Sequence, residues 1–168
     1  MTIIKVPISK LMAYLQWCLE NKCGYIMGAY GQDPRKWAKD SWWFTQYTGE
    51  QRKKALYWRE HAPLVMDCNG LAEGGYQKET GVNINARARN NYSSWCNPKG
   101  TGKIPTTHRV PGAAVFIHNG SYVSHVGFLW KPVMTGKPEG DWWVIEARGV
   151  MYGVVDFYKE CKKQGIKP

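Results

Sequence analysis

The sequence predicts an α+β domain, with helices in the N-terminal half and an antiparallel sheet after them. Three observations carry this. Apolar residues before position 80 recur at helical spacing. From Val110 the apolar period drops to two. Turn-forming runs, His118-Asn119-Gly120-Ser121 and Met134-Thr135-Gly136-Lys137-Pro138-Glu139-Gly140, then separate the period-two stretches.

Taken in order, residues 8–22 predict an amphipathic helix, with Ile8, Leu11, Leu15, Cys18 and Leu19 on one face. Ser9 is its expected N-cap and Gly24 its stop. The run Gly24-Tyr25-Ile26-Met27-Gly28-Ala29-Tyr30-Gly31-Gln32 reads as turn-like backbone that another group approaches closely. One or two short helices are expected between Asp33 and Tyr47, and a polar helix from Gly49 to Ala62 with Leu56 and Tyr57 inward. Cys68 to Thr80 reads as a helix capped by Asp67 and ended by Gly81. Its glycines, Gly70, Gly74 and Gly75, are poor helix formers and make sense where the helix is packed closely. Residues 82–109 are loop-like, with one short helix between Arg87 and Trp95. Strands are predicted at 110–118, 122–131, 141–148 and 153–158.

A chain of 168 residues suffices for one domain with a real core. No apolar run approaches the roughly 20 residues of a membrane span. The N-terminus, Met1-Thr2-Ile3-Ile4-Lys5-Val6-Pro7, lacks the apolar segment of a secretory leader. The formal charge of +10 favours polyanionic partners, either nucleic acid or an anionic bacterial wall, and does not choose between them. Nine Trp and ten Tyr exceed what a small core uses, which suits a groove for a polymer with mixed polar and apolar surface. Five cysteines form no CxxC pair, and an odd count leaves at least one thiol free. No metal site is predicted.

The chemistry centres on Cys68. A cysteine nucleophile needs an accessible thiolate, a nearby base and a group that orients the base. At a helix start, the dipole and free N–H groups favour a thiolate and can hold an oxyanion. A buried core thiol beside Leu71 is the competing reading, and Asp67, if turned toward the sulfur, would oppose ionisation. Of four histidines, His61, His108 and His118 lie in polar connections or at a hairpin tip. His125 lies within a strand, on a face with Val123, Gly127 and Leu129. A turn around Thr135 and Gly136 sets His125 directly opposite Glu146, where a carboxylate would hold the imidazole. An ion pair between Glu146 and Arg148, two residues along the same face, is the alternative.

Five segments, in order, resemble the NlpC-type cysteine peptidases of bacterial cell walls. Asp67-Cys68-Asn69-Gly70-Leu71 resembles their Asp-Cys-Ser-Gly-Phe/Leu motif, and Pro111-Gly112-Ala113-Ala114-Val115-Phe116 their Pro-Gly-Asp-Leu-Val-Phe strand. Ser124-His125-Val126-Gly127-Phe128 is similar to their histidine motif. Val144-Ile145-Glu146-Ala147-Arg148-Gly149, with Tyr152-Gly153-Val154-Val155, is similar to the closing segment of phage-borne members. Gly24-Tyr25-Ile26-Met27-Gly28 resembles the segment lining their active site. Asn69 stands for the usual Ser, Ala113 for the usual Asp, and Glu146 where His, Asn or Gln is usual.

The resemblance implies a single papain-like domain over residues 1–168, with its core at about 24–158 and a Trp-rich helical insertion at about 32–62. It implies a peptidoglycan hydrolase in which Cys68 attacks, His125 moves the proton and Glu146 orients His125. Tyr25, Asp67 and Ser124 complete the expected substrate and oxyanion set, with the Cys68 N–H as a further oxyanion donor. The expected bond joins D-glutamate to a diamino acid. An amidase cutting between N-acetylmuramate and L-alanine, or a non-catalytic module binding walls or nucleic acid, is the alternative. No cofactor is implied. The expected partners are peptidoglycan and anionic wall polymers, not nucleic acid or membrane, and the expected state is a monomer, either an endolysin released from the host cytoplasm to the wall, a bacterial toxin, or the excised domain of a larger wall enzyme.

Overall fold

The computed structural model describes residues 5–84, 87–96 and 100–165. Residues 1–4, on which part of the leader reading rests, and residues 166–168 lie outside them. The architecture is α+β, with a four-stranded antiparallel sheet in the order β4-β5-β6-β7 and a small three-stranded sheet in the order β1-β3-β2.

Helix α1 spans Ile8–Glu20 and buries Met12, Tyr14, Leu15 and Cys18. Its N-cap is Pro7, whose carbonyl takes Lys10 N at 3.0 Å, so Ser9 falls inside the first turn instead of capping it. Gly24 does not stop the helix either. Lys22, at φ 53°, reverses the chain so that Cys23 N reaches Cys18 O at 3.0 Å. Gly24 instead opens β1 (Gly24–Tyr25), because the Trp58 ring occupies the space a side chain would need.

The segment read as a turn thus supplies two strands. β1 runs parallel to β3 (Val65–Met66), and β2 (Tyr30–Gln32) runs antiparallel to it. The insertion folds as a 3-10 turn at Pro34–Lys36, α2 (Trp42–Thr45) and α3 (Gly49–His61). Helix α3 turns Ala55 and Trp58 inward, with Leu56 half-buried and Tyr57 exposed, one position on from the predicted face. Trp58 wins the buried place because its Nε1–H has a partner there, Val150 O at 2.6 Å.

Helix α4 spans Gly70–Thr80 and ends at Gly81 in the left-handed region. It packs against α1 and β2, and its glycines allow that approach: a Cβ on Gly74 would lie 2.6 Å from Tyr30 O. Helix α5 (Ala88–Asn90) continues into a π-helical turn, Asn91–Trp95, where one short helix is predicted.

Strands β4 (Ala114–His118), β5 (Val123–Pro132), β6 (Trp142–Gly149) and β7 (Gly153–Asp156) form the predicted meander. Asn119 Oδ1 accepts from Ser121 N and Tyr122 N at 3.0 Å each, and Gly120 takes φ 100°, which closes the first hairpin. β5 and β6 pair two residues away from the predicted register. Phe128 faces Ile145 and Leu129 faces Val144, which carries Gly127 across from Glu146. The long connection closes at Val133 N to Asp141 O, 2.8 Å, and a bulge follows Leu129, so the turn is not centred on Thr135 and Gly136. A slip of two leaves every side chain on its face. The last strand ends earlier than predicted. Asp156 accepts from Tyr158 N and Lys159 N and starts a sixth helix, α6 (Phe157–Lys163).

The core joins α1, the small sheet and one face of the large one: Leu15, Cys18, Ile26, Val65, Met66, Val126 and Ile145 are almost fully buried. Val154 N to Cys23 O, 2.9 Å, and the Trp58–Val150 bond tie the halves together. This fixes the end of β3, where Cys68 follows, near β5 and β6. No described helix is long and apolar enough to cross a membrane.

Candidate active site

Asp67 builds the turn that carries Cys68. Its backbone N–H donates to Ala29 O at 2.7 Å, anchoring it to the β1–β2 connection. One carboxylate oxygen accepts from Gly28 N at 3.0 Å, the other from Gly70 N at 2.7 Å. Leu71 N reaches back to Asp67 O at 3.1 Å. Asp67 is not the N-cap the sequence predicts: the cap position is Asn69, regular helix begins only at Gly70, and Cys68 sits in the turn before it, with Asp67 taking the Gly70 amide from outside the helix. Burial pushes the Asp67 carboxyl up, while its bonds from Gly70, Gly28 and Asn69 amides and the nearby His125 charge oppose this. Both oxygens are committed to amides, which resolves the concern that the carboxylate points at the sulfur.

Cys68 is half-buried, and Cys18, Cys23, Cys68 and Cys161 are free thiols. Cys18, Cys23 and Cys161 are buried in the core, so Cys68 and Cys96 are the more accessible ones. His125 Nε2 lies 2.6 Å from Glu146 Oε2, which leaves Nδ1 as the ring nitrogen free to serve the thiol. Burial pulls the imidazole toward its neutral form. Its contact with the Cys68 thiol and its hydrogen bond with Glu146 outweigh that and raise its pKa to about 9. Cys68, His125 and Glu146 are therefore one linked group.

Glu146 is buried, and the two sequence alternatives for it coexist: its second oxygen, Oε1, lies 3.4 Å from Arg148 Nη1. Gly127, directly across, permits this crowding, since a Cβ there would lie 2.8 Å from Val144 Cγ1 and 3.4 Å from Glu146 Cβ.

Tyr25 is buried beside the same group. Burial first, then the negative charges available at Cys68 and Asp67, push its hydroxyl pKa up, so it remains a hydrogen-bond donor at neutral pH. Ser124 is not brought in. It points to the opposite face, exposed, with its hydroxyl 3.3 Å from Ile117 O. His118 is exposed at the hairpin tip, where its ring accepts from Gly120 N, and His61 is exposed on α3, bonding Tyr57 O. His108 is also exposed.

Some neighbours were not legible in the sequence. Asn91 Nδ2 donates to Asn69 Oδ1, which pins the α5 segment to the residue after Cys68. Tyr47 OH accepts from Met27 N at 2.7 Å, and Gln46 Nε2 donates to Met27 O at 3.3 Å. These bonds fasten the insertion to the loop whose next amide, Gly28 N, holds Asp67. Trp37 and Trp43 stack at 4.1 Å, and Trp42 meets Trp43 edge-on and stays 59% exposed. Trp42 and Trp43 both lie 3.6 Å from where a Gly28 Cβ would sit, so an aromatic wall borders the Asp67 turn. Among the described residues, no three His, Cys, Asp or Glu side chains gather as metal ligands.

Neither a family model, a curated protein nor a solved structure matches this chain, so the geometry itself carries the functional argument.

The raised His125 value makes a stability prediction. A group that binds its proton more tightly when folded stabilises the fold fully below its unfolded pKa, here near 6.5, and loses that contribution as pH rises through about 9. The melting temperature of the wild type is expected to fall across that window. Glu146→Gln removes one source of the raised value and should flatten the fall, as calorimetry from pH 6 to 9.5 would show. An equal slope in both proteins would refute the coupling.

Proposed function

We propose that this chain is a peptidoglycan hydrolase of the cysteine-peptidase type. The observation that carries the reading is the linked group itself: a half-buried thiol in a helix-start turn, in contact with a histidine whose far nitrogen is 2.6 Å from a buried carboxylate. Those are the three requirements for cysteine nucleophilic catalysis.

In this mechanism the Cys68 thiolate attacks the scissile carbonyl. The tetrahedral oxyanion accepts hydrogen bonds from the Cys68 N–H and the Tyr25 hydroxyl. Collapse expels the amine, which takes its proton from His125, and leaves the acyl group on sulfur. Neutral His125 then takes a proton from water, whose oxygen attacks the thioester and frees Cys68. Glu146 holds the ring in one tautomer and stabilises its charged form.

The substrate class follows from the resemblance of the motifs, with support from charge and aromatics. A net +10 suits an anionic wall as it suits any polyanion, and the Trp37–Trp42–Trp43 wall suits a polymer with polar and apolar faces. We place the cut within the stem peptide, between D-glutamate and the diamino acid, and the setting as a phage or prophage endolysin. The test is mass spectrometry of muropeptides released from purified walls. New amino termini on the diamino acid are expected. New termini on L-alanine would make the protein an amidase, and wall binding without new termini would overturn the enzyme reading.

A further inference from the structure

We infer that Arg148 is a positioning residue that sets how firmly His125 holds its proton, acting through the second oxygen of Glu146. The inference rests on the proposed roles of Cys68 and His125. Glu146 is buried and shared by two cationic groups: Oε2 lies 2.6 Å from His125 Nε2, and Oε1 lies 3.4 Å from Arg148 Nη1. Arg148 is itself held in place. Its guanidinium carbon is 5.3 Å from the Tyr152 ring, on the β6–β7 turn, and 5.2 Å from the Phe157 ring, at the start of α6. Only 22% of the Arg148 side chain is exposed, so its charge is poorly screened by water. Continued by three residues, the β5–β6 register that pairs Phe128 with Ile145 sets His125 and Arg148 across from each other.

The consequence has a definite sign. A carboxylate bound only to His125 would give that ring its whole charge and hold the proton hard. Arg148 draws part of that charge away, and its own positive charge opposes a second cation on the imidazole. Both effects lower the proton affinity of His125. The ring must give its proton to a leaving group and accept one from water, so moderating that affinity favours both transfers. The other charged or ionisable groups facing the pair are Cys68 and Asp67, with Tyr25 neutral beside them, and none of these is cationic. Across from Glu146 on β7 stands Val155, which carries no charge. Arg148 is thus the one cation described at Glu146 besides His125 itself.

The experiment follows the His125 ring proton by NMR titration in wild type, Arg148→Met and Arg148→Lys, assigned with a His125→Gln variant. It does not depend on any hydrolysis. In Arg148→Met the midpoint is expected about half to one pH unit higher, the size of one partly screened charge. Arg148→Lys should return it most of the way. An unchanged midpoint in a folded Arg148→Met protein would overturn the inference, as would a downward move. If Arg148→Met does not fold, Arg148→Lys decides alone: its longer charge-to-carboxylate distance should give a small upward move, and none counts against the role. Failure of the hydrolase reading would show as wild type releasing no muropeptides, whatever the titration gives.

Discussion

Cys68→Ala is expected to abolish release of new peptide termini from purified walls, by at least about a thousandfold, while the protein stays folded. The size of the effect follows from the role. Without the sulfur no acyl intermediate forms, and what survives is the weak assistance of the oxyanion donors. The mildness of the structural effect follows from the surroundings. Cys68 is half-buried in a turn held by backbone bonds to Asp67, and none of those bonds uses the thiol. Removing one sulfur atom should cost about 1 kcal/mol, or roughly 2–4 °C in melting temperature. Alkylation offers an independent measure. Iodoacetamide should label Cys68 well ahead of Cys18, Cys23 and Cys161, which are at most 1% exposed. Loss of activity should track labelling at Cys68 in peptide mapping. Undiminished lysis by Cys68→Ala would end the nucleophile assignment. Wall binding retained by Cys68→Ala is compatible with it, since binding draws on charge and aromatics elsewhere.

The parts of the site that were legible in the sequence are those set by local chemistry or by parity. Asp67 before a helix announces a carboxylate that takes amides near the helix start, and the amides of Gly28 and Gly70 are where it goes, although the cap position itself falls to Asn69. His125 and Glu146 share a face because strand alternation has period two. The predicted register was wrong by two residues, yet parity survives such an error. What stayed hidden depends on distant packing. Nothing local to Lys22 says it will adopt a positive φ, because the reason lies in Gly24 N donating to Leu64 O and Cys23 O accepting from Val154 N. Tyr57 and Trp58 are equally plausible inward residues on α3 until Val150 O supplies a partner for one indole. Asn91 meets Asn69 across a loop whose course no periodicity encodes. Ser124 was misassigned through its neighbourhood: it adjoins His125 in sequence, and adjacency in a strand means opposite faces.

Gly70→Ala should damage both the fold and the site, although alanine is the better helix former by about 1 kcal/mol. Regular helix begins at this residue, and its φ is not in the left-handed region, so the backbone itself would accept a side chain. The obstacle is space. A Cβ would sit 1.9 Å from Ala29 O and 2.9 Å from both Ala29 C and Tyr30 Cα. All three are backbone atoms, which cannot swing aside as a side chain could. Ala29 O also accepts the Asp67 N–H at 2.7 Å, and Gly28 N, one residue earlier, donates to the Asp67 carboxylate. Relieving the clash must therefore either lift α4 off the β1–β2 connection or pull Asp67 from its amides. Either movement carries Cys68, two residues before Gly70, away from His125. The net cost is expected near 3 kcal/mol, lowering the melting temperature by about 6–12 °C for a domain of this size. Gly100→Ala, where none of the described residues lies within 4 Å, is the control and should change stability by less than about 0.5 kcal/mol. Scanning fluorimetry of the two variants, with the iodoacetamide rate at Cys68, separates the effects. If Gly70→Ala melts with wild type and alkylates at the wild-type rate, then α4 is not seated against Ala29 and the turn that presents Cys68 is not held as described.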